Sequence, residues 1–363
     1  MTTEPTPVPS ATGPGPMPGT DPREAARVVM GECHALPFLP ELADRGPGAD
    51  AIGRTLALLA DLPADVSPRG WRLADSPGRL ARRAVDHLDR DADALEEADE
   101  LARDPEHAPA PDRRRLQVGI VGPWTLAARV ELPGGMPVLS DRGARRDLAA
   151  SLSEGAGGFA ARLAERVGAG ARILLDEPAL WQVAAGTVHS PSRLDPIPPV
   201  AADQLALSLC RFGDALRRAG VAEVLLRVPT ASVPGAPPVW SVVAAPPRGE
   251  TPLDGACLPA APLYSADSHA ALDAAGTLLG DGRLLQLEGL PASGAGIPRT
   301  PADAERAAAR VLALLDRLGA PPHTRLPAVV LTPTPGDMES ASGAASALRA
   351  ARLVADTAPR MAE

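Results

Sequence analysis

The chain contains no lysine and no asparagine, and has one tyrosine, three phenylalanines and three cysteines among 363 residues. Without lysine there is no Schiff-base amine, no pyridoxal-phosphate anchor and no P-loop lysine. Cys33, Cys210 and Cys257 stand far apart without CxxC spacing, so neither a disulfide framework nor a thiolate metal site is indicated. No apolar run of roughly eighteen residues occurs, and the N-terminus carries neither a basic n-region nor an apolar h-region; the expectation is a cytoplasmic protein without a membrane partner. A net charge of -9 argues against a nucleic-acid partner, which needs a basic face. Arg113-Arg114-Arg115 and Arg145-Arg146 read as solvated exceptions. What abounds is alanine, arginine, glycine and proline, as a GC-rich coding sequence dictates.

A length of 363 residues and a hydrophobic content of 45% are enough for one large domain or two small ones. The Thr/Pro-rich residues 1–11 read as a disordered tail, leaving a single domain over 12–363. Asp21-Pro22-Arg23-Glu24 starts a helix to about Gly31. Further helices are expected over Asp50–Ala60 and Gly78–Leu101, and a loop over Pro105–Arg115. Short apolar runs then alternate with amphipathic helices. Strands are predicted at Leu116–Val121, Ile173–Leu175, Val224–Val228, Val239–Val243, Ala256–Leu258, Leu284–Leu287 and Val329–Leu331. Helices are predicted over 143–167, around Leu205–Leu216, after Thr300 and at the end of the chain. Repeated βα units whose strands are apolar on both faces imply a parallel sheet covered by helices. No GxGxxG turn follows the first strand, so a (β/α)8 barrel fits better than a doubly wound sheet. Functional residues are then expected where strands end.

Three such ends carry special residues: Gly122-Pro123-Trp124-Thr125, Asp176-Glu177-Pro178 and Thr332-Pro333-Thr334-Pro335-Gly336. Singly they are a turn, a helix cap and a rigid loop. Together they outline a pocket, with acids suited to an ammonium and a tryptophan suited to an aromatic ring. Trp124, Asp176, Arg227, Glu288 and Thr332 are expected at one mouth, with one of Asp176 and Glu177 pointing into it free of any cap.

Thr12-Gly13-Pro14-Gly15-Pro16-Met17-Pro18-Gly19-Thr20-Asp21, Gly122-Pro123-Trp124-Thr125-Leu126-Ala127-Ala128 and Leu175-Asp176-Glu177-Pro178-Ala179-Leu180 resemble, in order, motifs of short actinobacterial members of the cobalamin-independent methionine synthase family. Gly70-Trp71-Arg72-Leu73 and Leu331-Thr332-Pro333-Thr334 also match. The resemblance implies a (β/α)8 barrel of the methionine synthase and uroporphyrinogen decarboxylase superfamily. It also implies methyl transfer from a methylated folate, or a corrinoid donor, to homocysteine. In the family, zinc held by a His-x-Cys strand end, a glutamate and a distant cysteine keeps the thiol as thiolate, which its ordinary pKa of ~8.5 does not. The DEP aspartate grips the homocysteine amine, and a serine of the opening motif helps to hold its carboxylate.

This sequence departs where the metal belongs. Arg227 stands at the histidine, Pro229 and Pro335 at the cysteines and Pro16 at the serine, and no glutamate lies around Cys257. No zinc or other cofactor is therefore expected. The substrate-binding candidates are Trp124, Thr125, Asp176, Glu177, Arg227 and Glu288; no catalytic residue is assigned. Two alternatives accompany a methyltransferase reading: a non-catalytic paralogue binding a small amino acid, a folate-like ligand, a corrinoid protein or an intact homologue, and a metal-independent uroporphyrinogen-decarboxylase-like enzyme. The last would need several arginines for a tetracarboxylate, and Arg227 is one.

Overall fold

The computed structural model describes the chain except residues 1–9, 104–113, 193, 230–241, 243–246, 266–267, 291–296 and Glu363. The strands are β1 (Ser10–Ala11), β2 (Ala64–Ser67), β3 (Gly70–Leu73), β4 (Arg115–Val121), β5 (Gly170–Asp176), β6 (Glu223–Arg227), β7 (Gly255–Pro259), β8 (Leu284–Glu288) and β9 (Val329–Thr332). Seven of them make one curled, all-parallel sheet in the order β1-β9-β8-β7-β6-β5-β4, and β2 and β3 form a separate antiparallel hairpin. Helices Arg142–Arg166, Ala202–Arg218, His269–Gly280, Pro301–Arg317 and Ala341–Ala362 alternate with these strands, giving an α/β fold. No helix among the described residues is long and apolar enough to cross a membrane.

Strand periodicity sorts the side chains into two cores. Ile173, Leu175, Val224, Leu226, Leu285 and Leu287 join the large core under the helices. The alternate residues Leu174, Leu225 and Cys257 pack with Leu284 as a separate inner cluster. Below that cluster, at the strand starts, Glu223 takes Arg115 Nε at 2.8 Å and Arg172 Nε at 2.7 Å.

The sheet edges are joined by chain that is not regular strand. Leu39 N donates to Gln117 O (2.9 Å) and Gln117 N to Pro37 O (2.8 Å). Glu41 N then donates to Gly15 O (3.0 Å), and Met17 N to Glu41 O (2.9 Å). Residues 37–41 thus bond to β4 on one side and to the chain beyond β1 on the other.

Most predicted elements are found, and their signals are visible in the structure. Asp21 accepts from Arg23 N and Glu24 N at the start of helix Pro22–Glu32, and Thr300 and Asp303 form a reciprocal capping box. Four readings change. Ser10 and Ala11, assigned to the tail, pair with Val330 and Leu331. Arg115, assigned to a loop, begins β4. Gly70–Leu73 is a hairpin strand that periodicity had not marked. Arg114, read as solvated, is buried, donating to Asp99 Oδ1 at 2.6 Å and to His34 O and Val167 O. The strand predicted at Val239–Val243 lies outside the described residues apart from Val242.

Candidate functional site

Parallel register carries the inner residues of β5, β6 and β7 to one level: Asp176 pairs with Arg227, and Arg227 with Cys257. One step on, Pro259 pairs with Glu288 and Glu288 with Thr332. All but Cys257, which is mid-strand, lie at the C-terminal ends of their strands, where a parallel α/β sheet leaves its loops free to build a site.

Arg227 is the hub. Its Nε lies 2.9 Å from Glu288 Oε2 and its Nη1 3.8 Å from Asp176 Oδ2. Its Nη2 donates to Pro14 O at 2.6 Å, tying β6 to the segment after β1. Cys257 Sγ lies 3.8 Å from Glu288 Oε2. Burial works against the Arg227 charge, but Cys257, Glu288, Asp176 and Glu41 outweigh it and hold its pKa above the ordinary guanidinium value. Burial also raises the pKa of Asp176 and of Glu288, with Arg227 opposing in both cases. The Cys257 thiol is pushed up to about 12 by burial, so it stays protonated despite the neighbouring cation.

Glu41 completes the cluster, and the sequence reading did not include it. Its Oε1 sits 2.5 Å from where a Cβ would stand on either Gly15 or Gly119. Gly15 also has φ +111°, which an L side chain resists. Only glycine at both positions gives this carboxylate its place. Burial raises the Glu41 pKa, with Arg54 and Arg227 opposing and Asp176 adding to the rise. Glu41, Arg54, Gly119, Asp176 and Arg227 line a narrow cleft, with a cavity volume of about 20 Å³, between β4 and the short helix Ala51–Leu56. Arg54 is committed elsewhere, its Nη1 lying 2.9 Å from Asp91 Oδ2. The signal that could have marked Glu41 was the pair of glycines placed to admit it, which becomes visible only once the segments meet.

The structure separates the other candidates from this hub. Glu177 is buried and serves as a cap: Oε1 accepts from Trp124 N (2.9 Å), and Oε2 from Thr125 N (2.7 Å) and Thr125 Oγ1 (2.6 Å). These bonds close the start of helix Pro123–Arg129. Burial pushes the Glu177 pKa up to about 7, the three hydrogen bonds pulling the other way. Trp124 turns to the helical layer, its indole Nε1 donating to Ser208 Oγ (2.7 Å) and its ring lying 5.5 Å from the Arg145 guanidinium. Asp176 has no capping role among the hydrogen bonds described, so of the two DEP acids it is the one facing Arg227.

The zinc that the resemblance implies finds no donor set in this arrangement. Arg227 already engages the carboxylates nearest the spot, and the one nearby thiol holds its proton. Pro229 offers only a backbone carbonyl, which accepts from Trp181 Nε1 at 3.2 Å. Pro335 opens a short turn capped by Thr334 and Asp337. Among the described residues no group of three or more His, Cys, Asp or Glu could hold a metal ion.

No protein-family model and no curated protein matches this chain. Solved structures that resemble it include a methyltransferase and a methionine synthase. A methyltransferase from Methanosarcina mazei is 14% identical over 95% of this chain and 93% of that one, with a TM-score of 0.47. A B12-independent methionine synthase from Shewanella sp. W3-18-1, in complex with selenomethionine, is 15% identical over 72% of this chain and 65% of that one, with a TM-score of 0.42. Likeness at that level bears on no question of activity.

Proposed function

We propose that this chain is a methionine-synthase-like (β/α)8 barrel, with residues 37–41 in the eighth strand's place, that binds a small amino-acid-like ligand without zinc. The observation that carries the reading is Arg227 standing between Asp176 and Glu288 at the spot where the resemblance puts the metal. A zinc ion there would have to pull both carboxylates away from a guanidinium that holds them already. Charge balance then sets the ligand class. Glu41, Asp176 and Glu288 are three acids that share the Arg227 cation, so the cleft suits an ammonium group. Such a group would offset the desolvation that now raises all three acids. A tetracarboxylate gains nothing here, because Arg227 is spoken for; this disfavours the uroporphyrinogen-decarboxylase-like alternative.

Elemental analysis of protein purified without chelators is expected to show well under one zinc per chain. Millimolar homocysteine or methionine is expected to raise the melting temperature, and Asp176→Asn to abolish that rise. Stoichiometric zinc together with methionine formation would refute the proposal. So would a melting temperature indifferent to both amino acids.

A further inference from the structure

We infer that the inner face of the sheet, beside the Arg227 cluster, holds a built-in water site formed by Thr12, Gln117, Gln286 and Thr332. All four are polar and at most 1% exposed. Five of their side-chain atoms have no hydrogen-bond partner: Thr12 Oγ1, Thr332 Oγ1, Gln117 Oε1, and both Oε1 and Nε2 of Gln286. Buried polar groups are rarely left unpaired, because each keeps the full cost of losing water. Five such atoms along one interior surface call for a shared partner.

Register places them together. Gln117 Nε2 donates to Gly13 O (3.1 Å), next to Thr12. Thr12 N donates to Leu331 O (3.0 Å), which sets Thr12 beside Thr332. Thr332 pairs with Glu288, two residues beyond Gln286 on the same face of β8. On the same inner face Ser10 pairs with Val330, and Val330 with Gln286.

The chemistry of the set selects the occupant. Gln286 presents both a donor and an acceptor, Gln117 an acceptor, and the hydroxyls serve as either. A metal ion would meet the Gln286 amide hydrogens and an anion the amide oxygens, whereas water satisfies both kinds at once. The expectation is at least two ordered waters, with Thr332 linking them to the level of Glu288.

A crystal structure of the full chain tests this directly. Density peaks at about 2.7–3.2 Å from the orphaned atoms are expected. Side chains repacked to bond one another, or the end of an organic molecule in that space, would overturn the inference. Thr332→Val and Gln286→Met give an independent readout. If water bonds these groups, each variant melts lower than the parent, by about 2 °C or more. If the space is dry, removing an orphaned group relieves its cost and each variant melts higher, which would also overturn it. Neither result depends on amino-acid binding at Arg227.

Discussion

Arg227 opposes the burial that raises the pKa of Asp176 and of Glu288, so its removal strands two acids in a poorly solvated space. Arg227→Met is expected to cost about 3 kcal/mol in urea unfolding at pH 7. The loss should shrink toward pH 5, because carboxylates left without the cation take protons more readily. An equal loss at both pH values would show that packing, and not charge, is responsible. Glu177 acts differently, as acceptor to three donors at a helix start. Glu177→Ala is expected to cost about 3 kcal/mol at pH 5, and Glu177→Gln to recover only part, since an amide turns N–H toward N–H. The Glu41 niche predicts a third outcome. Gly119→Ala puts a methyl group where Oε1 lies, so ligand-induced stabilisation should be lost while the fold persists.

At the scale of elements, pH dependence divides between the two ends of the sheet. Folding raises the Glu177 pKa from 4.5 to about 7, so stability from this group is fully present below 4.5 and lost as pH rises through 7. Glu223, at the strand starts, has the opposite sign. Burial would raise its pKa, but Arg172 and Arg115 outweigh that and hold it below 4.5. Its contribution is present above 4.5 and lost as pH falls through the lowered value. Equilibrium unfolding should therefore show stability rising out of strong acid and declining again toward pH 8. The decline on the alkaline side should shrink in Glu177→Ala, Glu41, Asp176 and Glu288 keeping the same sign. Element boundaries were largely legible beforehand, because caps such as Asp21 and Thr300 announce a helix through local hydrogen bonding alone. The β2–β3 hairpin was not, since its strands are too short to show a period.

The molecule as a whole depends on its first described residues. Ser10 and Ala11 extend the sheet beside β9, Gly15 and Met17 bond Glu41 on the next segment, and the Pro14 carbonyl holds Arg227. Deleting residues 1–17 should thus expose the β9 edge and release the site together. Circular dichroism melting and size-exclusion chromatography are expected to show a broadened transition and self-association. A sharp melt near the parent's temperature would mean that this segment closes nothing.

By itself the sequence determined the alternation of buried strands and covering helices, and the strand ends that carry Asp176, Arg227, Glu288 and Thr332. Each of these follows from periodicity or from the chemistry of one residue. It could not assign the two DEP acids to their different tasks, because Asp176 and Glu177 are neighbours with the same functional group. Strand alternation turns one toward Arg227 and the other toward the amides of helix Pro123–Arg129. Nor could it find Glu41, whose niche is built from Gly15 and Gly119, far apart in the chain. Those roles depend on distances between segments, and only the closed packing of the sheet fixes such distances.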